Sequence, residues 1–305
     1  MHAMILAAGL GTRLRPITDN LPKPLVPVVG IPNIIRTVRH LQAAGFDRIV
    51  VNTHWRPEVL KQRLGDGAAF NVEIRYSDEP VLLGTGGGIK KALPLLGKDP
   101  FVVINGDALF APHLKRLLHF HETRGAAATL VLRRSPDAKT YGAIGIDSDA
   151  RIRRMVWVGE DTPNLTNLMF CGVHVITPEI ARRLPDEGCI VRKTYAPFIA
   201  EGGVLAAVED NGYFCDLGTK ERLLDANVQL VKGDARLSGF TPRSDGIYIG
   251  ENVHLGRNCH LLPGTVLCDR ASVADSVCIE NAVVLEDTHV TEDLRNAIAT
   301  PYGIL

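Results

Sequence analysis

From Ile247 onward the apolar residues recur every six positions, and few folds accommodate that spacing. One register holds Ile247, Val253, Cys259, Thr265, Ala271, Val277 and Val283; a second, two positions on, holds Ile249, Leu255, Leu261, Leu267, Val273, Ile279 and Leu285. Residues two apart on a strand face the same way, so a six-residue repeat stacks such pairs into a column. An ordinary antiparallel sheet would not keep so regular a period. Roughly 45 residues supply two to three turns of the column, whose ends then carry unpaired backbone groups that need cover. The repeat begins after a change of character around Gly239, Pro242 and Gly246. This predicts one domain over residues 1–233, then a linker and the repeat over 234–305.

The amino-terminal stretch is as informative chemically. The short apolar run Ala3 to Ala8, which includes Leu6, Ala7 and Ala8, suits one buried strand and is followed at once by Gly9 and Gly11. Glycines let the backbone approach a ligand and point successive N–H groups at it, which makes an anion-binding concavity. Thr12 leads into Arg13 and Arg15, whose guanidinium forks match phosphate geometry. Lys23 follows between Pro22 and Pro24, which restrain an otherwise flexible point charge. The pattern reads as a phosphate cradle with one lysine aimed into it. A Walker-type loop is excluded because Gly11 is followed by Thr12-Arg13 and not Lys-Ser/Thr. A dinucleotide fingerprint is excluded because Leu14 stands where a third small residue belongs.

This cradle with its Pro-Lys-Pro resembles the signature of the nucleotide-sugar pyrophosphorylases, which activate sugar 1-phosphates as nucleotidyltransferases. Between cradle and repeat, short β-rich runs alternate with helical patterns. Pro32 opens a helix closed by Gly45, Arg48 to Asn52 reads as a strand, Pro57 to Leu64 as a helix, and Val72 to Tyr76 as a strand. Such alternation predicts an α/β domain with a Rossmann-like mixed, mostly parallel sheet. Ligands bind beyond the carboxyl ends of strands in such sheets, where the cradle falls. Leu83-Gly84-Thr85-Gly86-Gly87-Gly88 reads as a loop before a helix over Ile89 to Leu96. The resemblance implies that this loop, with Glu79, Gly84 and Thr85, grips the nucleotide base, and that Leu6, Ala7, Ala8, Gly9, Gly11, Thr12 and Arg13 bind the same nucleotide. Its wording is nearest the guanylyltransferase branch, with a close variant in uridylyltransferases of muramic acid derivatives.

Phe101 to Asn105 is a continuous apolar run, as expected of a strand buried on both faces, and it leads through Gly106 to Asp107. A carboxylate there suits magnesium, which takes one or two carboxylates plus phosphate oxygens. Asp107 also resembles the family's Gly-Asp metal motif. Tyr213-Phe214-Cys215-Asp216-Leu217-Gly218 resembles the second metal motif, with Tyr213 or Phe214 in place of tryptophan, and is followed by a helix from Lys220. The resemblance further implies a sugar site at Tyr141-Gly142, Asn167 and Gly172. Relatives carry Glu-Lys-Pro nearby to hold the sugar phosphate, but this chain has Met155-Val156-Trp157-Val158. Arg153, Arg154 and Lys193 are the candidates to replace that charge, Lys193 being grouped with the sugar site. His174 and Cys171 fall in an apolar alternation and read as core residues.

The repeat is similar to the hexapeptide repeats of left-handed parallel β-helices, which in this family mediate oligomers. The resemblance implies attack of a sugar 1-phosphate oxygen on the α-phosphate of a nucleoside triphosphate, with release of pyrophosphate. In that scheme Lys23 stabilises the α-phosphate, Arg13 the departing pyrophosphate, and Asp107 and Asp216 hold Mg²⁺. GTP with mannose or heptose 1-phosphate is the favoured pair; UTP or dTTP with an N-acetylmuramate or glucose-type phosphate comes second. Two other classes are weighed. A catalytically silent regulatory relative is disfavoured because Arg13, Lys23, Asp107 and Asp216 are all present. A hexapeptide acyltransferase would need many more coils and a catalytic histidine, for which only His254, His260 and His289 stand in the repeat. A net charge of +0 over 305 residues argues against nucleic-acid or membrane partners. No apolar run approaches the ~20 residues of a membrane span, and six cysteines without Cys-x-x-Cys spacing suit a reducing cytoplasm.

Overall fold

The apolar run before the glycines forms the strand His2–Leu6, which pairs in parallel with Arg48–Thr53 on one side and Phe101–Asn105 on the other. The computed structural model describes residues 1–139, 142–155, 158–159, 165–237 and 240–305; Tyr141, Val156, Trp157 and Gly239 lie outside the described residues. The chain divides into two units, one of Met1–Gly9, Thr37–Gly106 and Pro112–Gly212, the other of Leu10–Arg36, Asp107–Ala111 and Tyr213–Leu305.

In the first unit, Arg48–Thr53 also pairs in parallel with Glu73–Asp78. The sheet turns mixed at the strand Thr166–Ile176, which runs antiparallel to both Phe101–Asn105 and Ala128–Arg133. Leu205–Glu209 then adds in parallel to Ala128–Arg133, and the short strands Ile144–Ile146, Ile152–Met155 and Val158–Gly159 form a meander. Ala3, Met4 and Ile5 are fully buried, as are Val102 and Val103, so these strands read in sequence as unbroken apolar runs. Met4, Val50, Ile89, Phe101 and Leu130 belong to one core.

The glycine-rich stretch departs from expectation. It is not a loop: the helix runs Gly84–Leu96 and includes all four glycines that follow Leu83. Helix propensity disfavours this by ~1 kcal/mol per glycine relative to alanine, but packing overrides it. A Cβ on Gly86 would lie 2.8 Å from Pro185, one on Gly87 2.4 Å from the Asp186 carbonyl oxygen, and one on Gly88 2.6 Å from Glu79 Oε1. At Gly86, Gly87 and Gly88 the helix is pressed too closely against neighbouring chain for a side chain.

In the second unit, Ala108–Phe110 and Phe214–Asp216 form a two-stranded antiparallel ribbon, with Phe110 and Phe214 meeting edge to face at 5.6 Å. The helix Lys220–Lys232 follows, capped at its start by the Thr219 hydroxyl, which accepts from Arg222 N. The repeat builds a parallel β-helix with three faces. Ile247 stacks on Thr265, His254 on Ser272 and His260 on Cys278, each pair 18 residues apart. Corners at Asn252, Asn258, Gly264, Arg270 and Ser276 are all left-handed, so each six-residue side ends in one αL residue.

The strict period lapses after Ile279. Val283 pairs with Val266 and not Thr265, and Val284 takes the place under Leu267 expected of Leu285. One residue is missing because Asn281, at φ +48°, turns alone the corner that Pro263 and Gly264 turn one coil earlier. In the first coil Ile249 and Leu255 are 42% and 47% exposed despite their apolar register. The column is not packed apart from the rest of its unit. Val266, Cys268, Val283 and Ile298 share one core with Leu14, Ile17 and Val28 of the amino-terminal stretch, with Leu109 and Leu217, and with Leu223 and Leu230 of the preceding helix.

Candidate active site

The predicted site residues are distributed over both units. In the second, Gly11 adopts a left-handed conformation (φ +66°), and a Cβ there would lie 2.9 Å from Thr18 and 3.0 Å from Lys23. Only glycine meets both demands. The Gly11 carbonyl accepts from the Thr18 hydroxyl at 2.8 Å, closing the turn that carries Thr12 and Arg13. Lys23 is 8% exposed, and its Nζ donates to Asp107 Oδ2 at 2.6 Å. The ion pair therefore joins the cradle lysine to the Gly-Asp motif.

The ribbon supplies the second carboxylate. Asp216 lies directly across from Ala108, the residue after Asp107, and opposed Cα atoms in such a pair are ~5 Å apart. Asp216 Oδ2 accepts from Arg222 Nη1 at 3.0 Å. Arg13 lies over Gly218: a Cβ on that glycine would be 2.5 Å from Arg13 Nη2 and 2.8 Å from Asp216 Oδ1. Thus Arg13, Lys23, Asp107 and Asp216 are brought into one neighbourhood, where Arg222 makes a third cation against the two carboxylates. Arg15 is not; its Nε turns outward to Asp19 at 3.1 Å. The donor set suits a divalent cation held partly by substrate. Asp107 is 42% exposed with only one oxygen engaged by Lys23, and magnesium asks no more than one or two carboxylates of the protein.

In the first unit the strand end after Leu6 is tied to the glycine helix through a buried relay. Ala7 N donates to Asn52 Oδ1 at 2.7 Å, Asn52 Nδ2 to Glu79 Oε1 at 2.6 Å, and Leu83 N to Glu79 Oε2 at 3.0 Å. Glu79 is 3% exposed, with both oxygens held by protein donors, so its carboxylate fixes the strand end and helix start relative to each other. Ala8 is buried, and no atom lies within 4 Å of where a Gly9 Cβ would stand. Gly84 (φ +71°) abuts Gly188, and Thr85 Oγ1 accepts from Ile190 N at 3.0 Å. Gly106 N donates to Leu6 O at 2.8 Å, so the glycine before Asp107 abuts the first strand.

The sugar-site residues are more dispersed. Gly142 is left-handed (φ +86°) and open around its Cα. Asn167 Oδ1 accepts from Arg154 Nη2, and Arg153 Nε donates to Asp147 at 2.7 Å. Lys193 has its stem and Nζ about Gly188, beside the glycine helix. Gly172 (φ +72°) sits at a register shift in its strand, where a Cβ would be 2.4 Å from Asn105 Nδ2. Sequence reasoning missed Asn52, Asn105 and Arg222 as site residues. The first two stand at strand carboxyl ends, where a polar residue closing an apolar run is the available signal. His174 and Cys171 are core residues. Burial drives the His174 imidazole pKa down to about 3 and pushes the Cys171 thiol up to about 12, and His174 Nδ1 meets the Tyr195 hydroxyl at 2.5 Å.

The sequence profile of the nucleotidyl transferases matches residues 2–233. Mannose-1-phosphate guanylyltransferase of Mycobacterium tuberculosis is 33% identical over 238 residues, covering 77% of this chain and 66% of that protein. N-acetylmuramate alpha-1-phosphate uridylyltransferase of Neisseria meningitidis serogroup B is 37% identical over 234 residues, covering 74% of this chain and 96% of that protein. Among solved structures, HddC from Yersinia pseudotuberculosis complexed with GMP-PN superposes with a TM-score of 0.62 at 26% identity, covering 74% of this chain and 97% of that one.

Proposed function

Because the chain belongs to the nucleotidyl transferase family, whose matched relatives are sugar-1-phosphate nucleotidyltransferases, we propose that it joins a nucleoside triphosphate to a sugar 1-phosphate and releases pyrophosphate. The observation that carries this is the Lys23–Asp107 pair at 2.6 Å, beside the ribbon that sets Asp216 across from Ala108. Displacement at an α-phosphate needs no protein nucleophile; it needs in-line positioning and neutralisation of developing charge. Lys23 supplies a fixed cation for the α-phosphate, and Arg13, seated over Gly218, supplies one for the departing pyrophosphate. Asp107 and Asp216 would hold Mg²⁺, which when bound neutralises phosphate charge and polarises the reacting phosphorus centre. The Gly9–Thr12 turn offers backbone N–H groups to the phosphates; recognition of the base is assigned to the Gly84–Thr85 helix start, which Glu79 holds through Leu83 N.

GTP with mannose 1-phosphate is the favoured pair, with heptose 1-phosphate next. The guanylyltransferase relative and the GMP-PN complex support it. UTP with an N-acetylmuramate-type phosphate is the second reading, favoured by 37% identity over 96% of the Neisseria protein. Lys193 and the Gly142, Asn167 and Gly172 positions are the proposed sugar-phosphate site. The family match ends at residue 233, which supports reading 1–233 as the transferase domain and 234–305 as linker and β-helix. The exposed first-coil residues Ile249 and Leu255 support a homo-oligomer built through the column. No described helix is long and apolar enough to cross a membrane; the six free cysteines support the proposal of a cytoplasmic location. The test of the substrate pair is competition: equal amounts of GTP, UTP, ATP and dTTP with mannose 1-phosphate, products resolved by mass. A GDP-sugar should dominate; a UDP-sugar as the main product would select the second reading.

A further inference from the structure

Val29 and Gly30 form the turn between the strands Pro27–Val28 and Ile31–Pro32, and both residues are left-handed, at φ +45° and +68°. Glycine takes that conformation freely. A valine does not, because its branched Cβ crowds the neighbouring carbonyl, so surrounding structure must hold it there. Asn227, fully buried on the helix Lys220–Lys232, does so. Its Oδ1 accepts from Val29 N at 2.6 Å, across 198 residues of chain, and its Nδ2 donates to Leu223 O at 2.8 Å. Tyr248 of the first β-helix coil closes the other side: a Cβ on Gly30 would stand 2.4 Å from its ring.

This turn lies inside the short strap that carries Lys23. The strap is pinned at Lys23 by Asp107, at Val29 by Asn227, and at Asn33, whose Nδ2 donates to Ala108 O at 3.0 Å. Two of the three anchors fall on Asp107 and its neighbour. The third falls on a helix whose cap, Thr219, follows closely after Asp216. A turn that relaxed to an ordinary conformation would change the direction of the strap between Lys23 and Asn33.

We infer that Asn227 is a positioning residue for Lys23, holding the Val29–Gly30 turn in its left-handed form from one side while Tyr248 covers it from the other. The kinetic part of the inference rests on the role proposed for Lys23; the geometric part does not. In this way the β-helix and the helix before it set the place of a cation in the cradle.

The test compares Asn227→Leu with Ile279→Ala, a control in the separate inner core of the column. Full-length proteins are acetylated with an activated ester, and labelling of Lys23 is followed by mass spectrometry. Lys23 is 8% exposed and ion-paired, so it should label slowly in the parent. It should label ~10-fold faster in Asn227→Leu and within about twofold of the parent in Ile279→Ala. Should Asn227→Leu not fold, Tyr248→Ala uncovers the same turn and is read the same way. In steady-state assays Asn227→Leu should lower kcat ~10-fold with little change in KM for the triphosphate, and should cost nothing further in a Lys23→Ala background. Unchanged Lys23 labelling, or an equal kcat loss in both backgrounds, overturns the inference. Absence of transferase activity in the parent would instead overturn the functional reading, and labelling alone would then decide whether Asn227 positions Lys23.

Discussion

Lys23 Nζ lies 2.6 Å from Asp107 Oδ2, joining residues 84 apart and putting the cradle cation on the carboxylate of the Gly-Asp motif. Asp216 reaches the same neighbourhood through the ribbon. The expected effects below follow from that grouping.

Asp107→Asn and Asp216→Asn should each lower turnover by ~10²-fold or more at saturating Mg²⁺, because charge compensation at the phosphates is transition-state work. Folding should survive, since Asp107 is 42% exposed and an asparagine there keeps an oxygen that can accept from the buried Lys23 Nζ. Thermal melts alongside single-turnover rates check both halves. A rate near that of the parent removes the residue from the metal site.

Lys23→Ala should cut kcat by ~10²-fold while raising KM for the triphosphate only a few-fold, the pattern of an interaction made chiefly in the transition state. Steady-state kinetics over a range of triphosphate concentrations separates the two. A change confined to KM would make Lys23 a ground-state binding residue.

Gly218→Ala should displace the Arg13 guanidinium, since the new methyl would stand 2.5 Å from Nη2 and 2.8 Å from Asp216 Oδ1. A flexible arginine end can move, so stability should change by ~1 kcal/mol or less while kcat/KM falls ~10-fold. Titration of inhibition by pyrophosphate should show the same weakening. Unaltered pyrophosphate affinity would detach Arg13 from that role.

Much of this was legible in the sequence, for physical reasons that differ by region. The strands His2–Leu6 and Phe101–Asn105 announce themselves because burial on both faces demands unbroken apolar runs. The β-helix is visible because each six-residue side repeats the same inward pair. The glycine helix Gly84–Leu96 was illegible, since local propensity favours a loop and only the close packing of residues 185–188 and Glu79 against its glycines reverses it. The one-residue slip at Asn281 is likewise a property of a corner, not of apolar spacing. The buried relay Ala7–Asn52–Glu79–Leu83 depends on which strand ends become neighbours, and short-range pattern holds no record of that. The meeting of Asp107 with Asp216 was expected from resemblance alone; the ribbon explains it.

Stability should fall on acidification through His174. Burial lowers its folded pKa to about 3, whereas the unfolded imidazole titrates near ~6.5. The unfolded state therefore binds the proton first, and stability declines as pH drops from ~6.5 toward ~3, by up to ~1.4 kcal/mol per unit. Urea unfolding at pH 7 and pH 5 should show ~2 kcal/mol of loss from this group in the parent, and less acid sensitivity in His174→Gln. Equal acid sensitivity in both proteins would mean that His174 titrates alike in the folded and unfolded states.

The most direct measurement is pyrophosphate release by the full-length protein, with Mg²⁺, across four nucleoside triphosphates and a set of sugar 1-phosphates. Release should require both substrates together, be greatest with GTP and mannose 1-phosphate, and drop ~10²-fold in Asp107→Asn. No release above the triphosphate-only background for any pair would contradict the assignment of this site to nucleotidyl transfer.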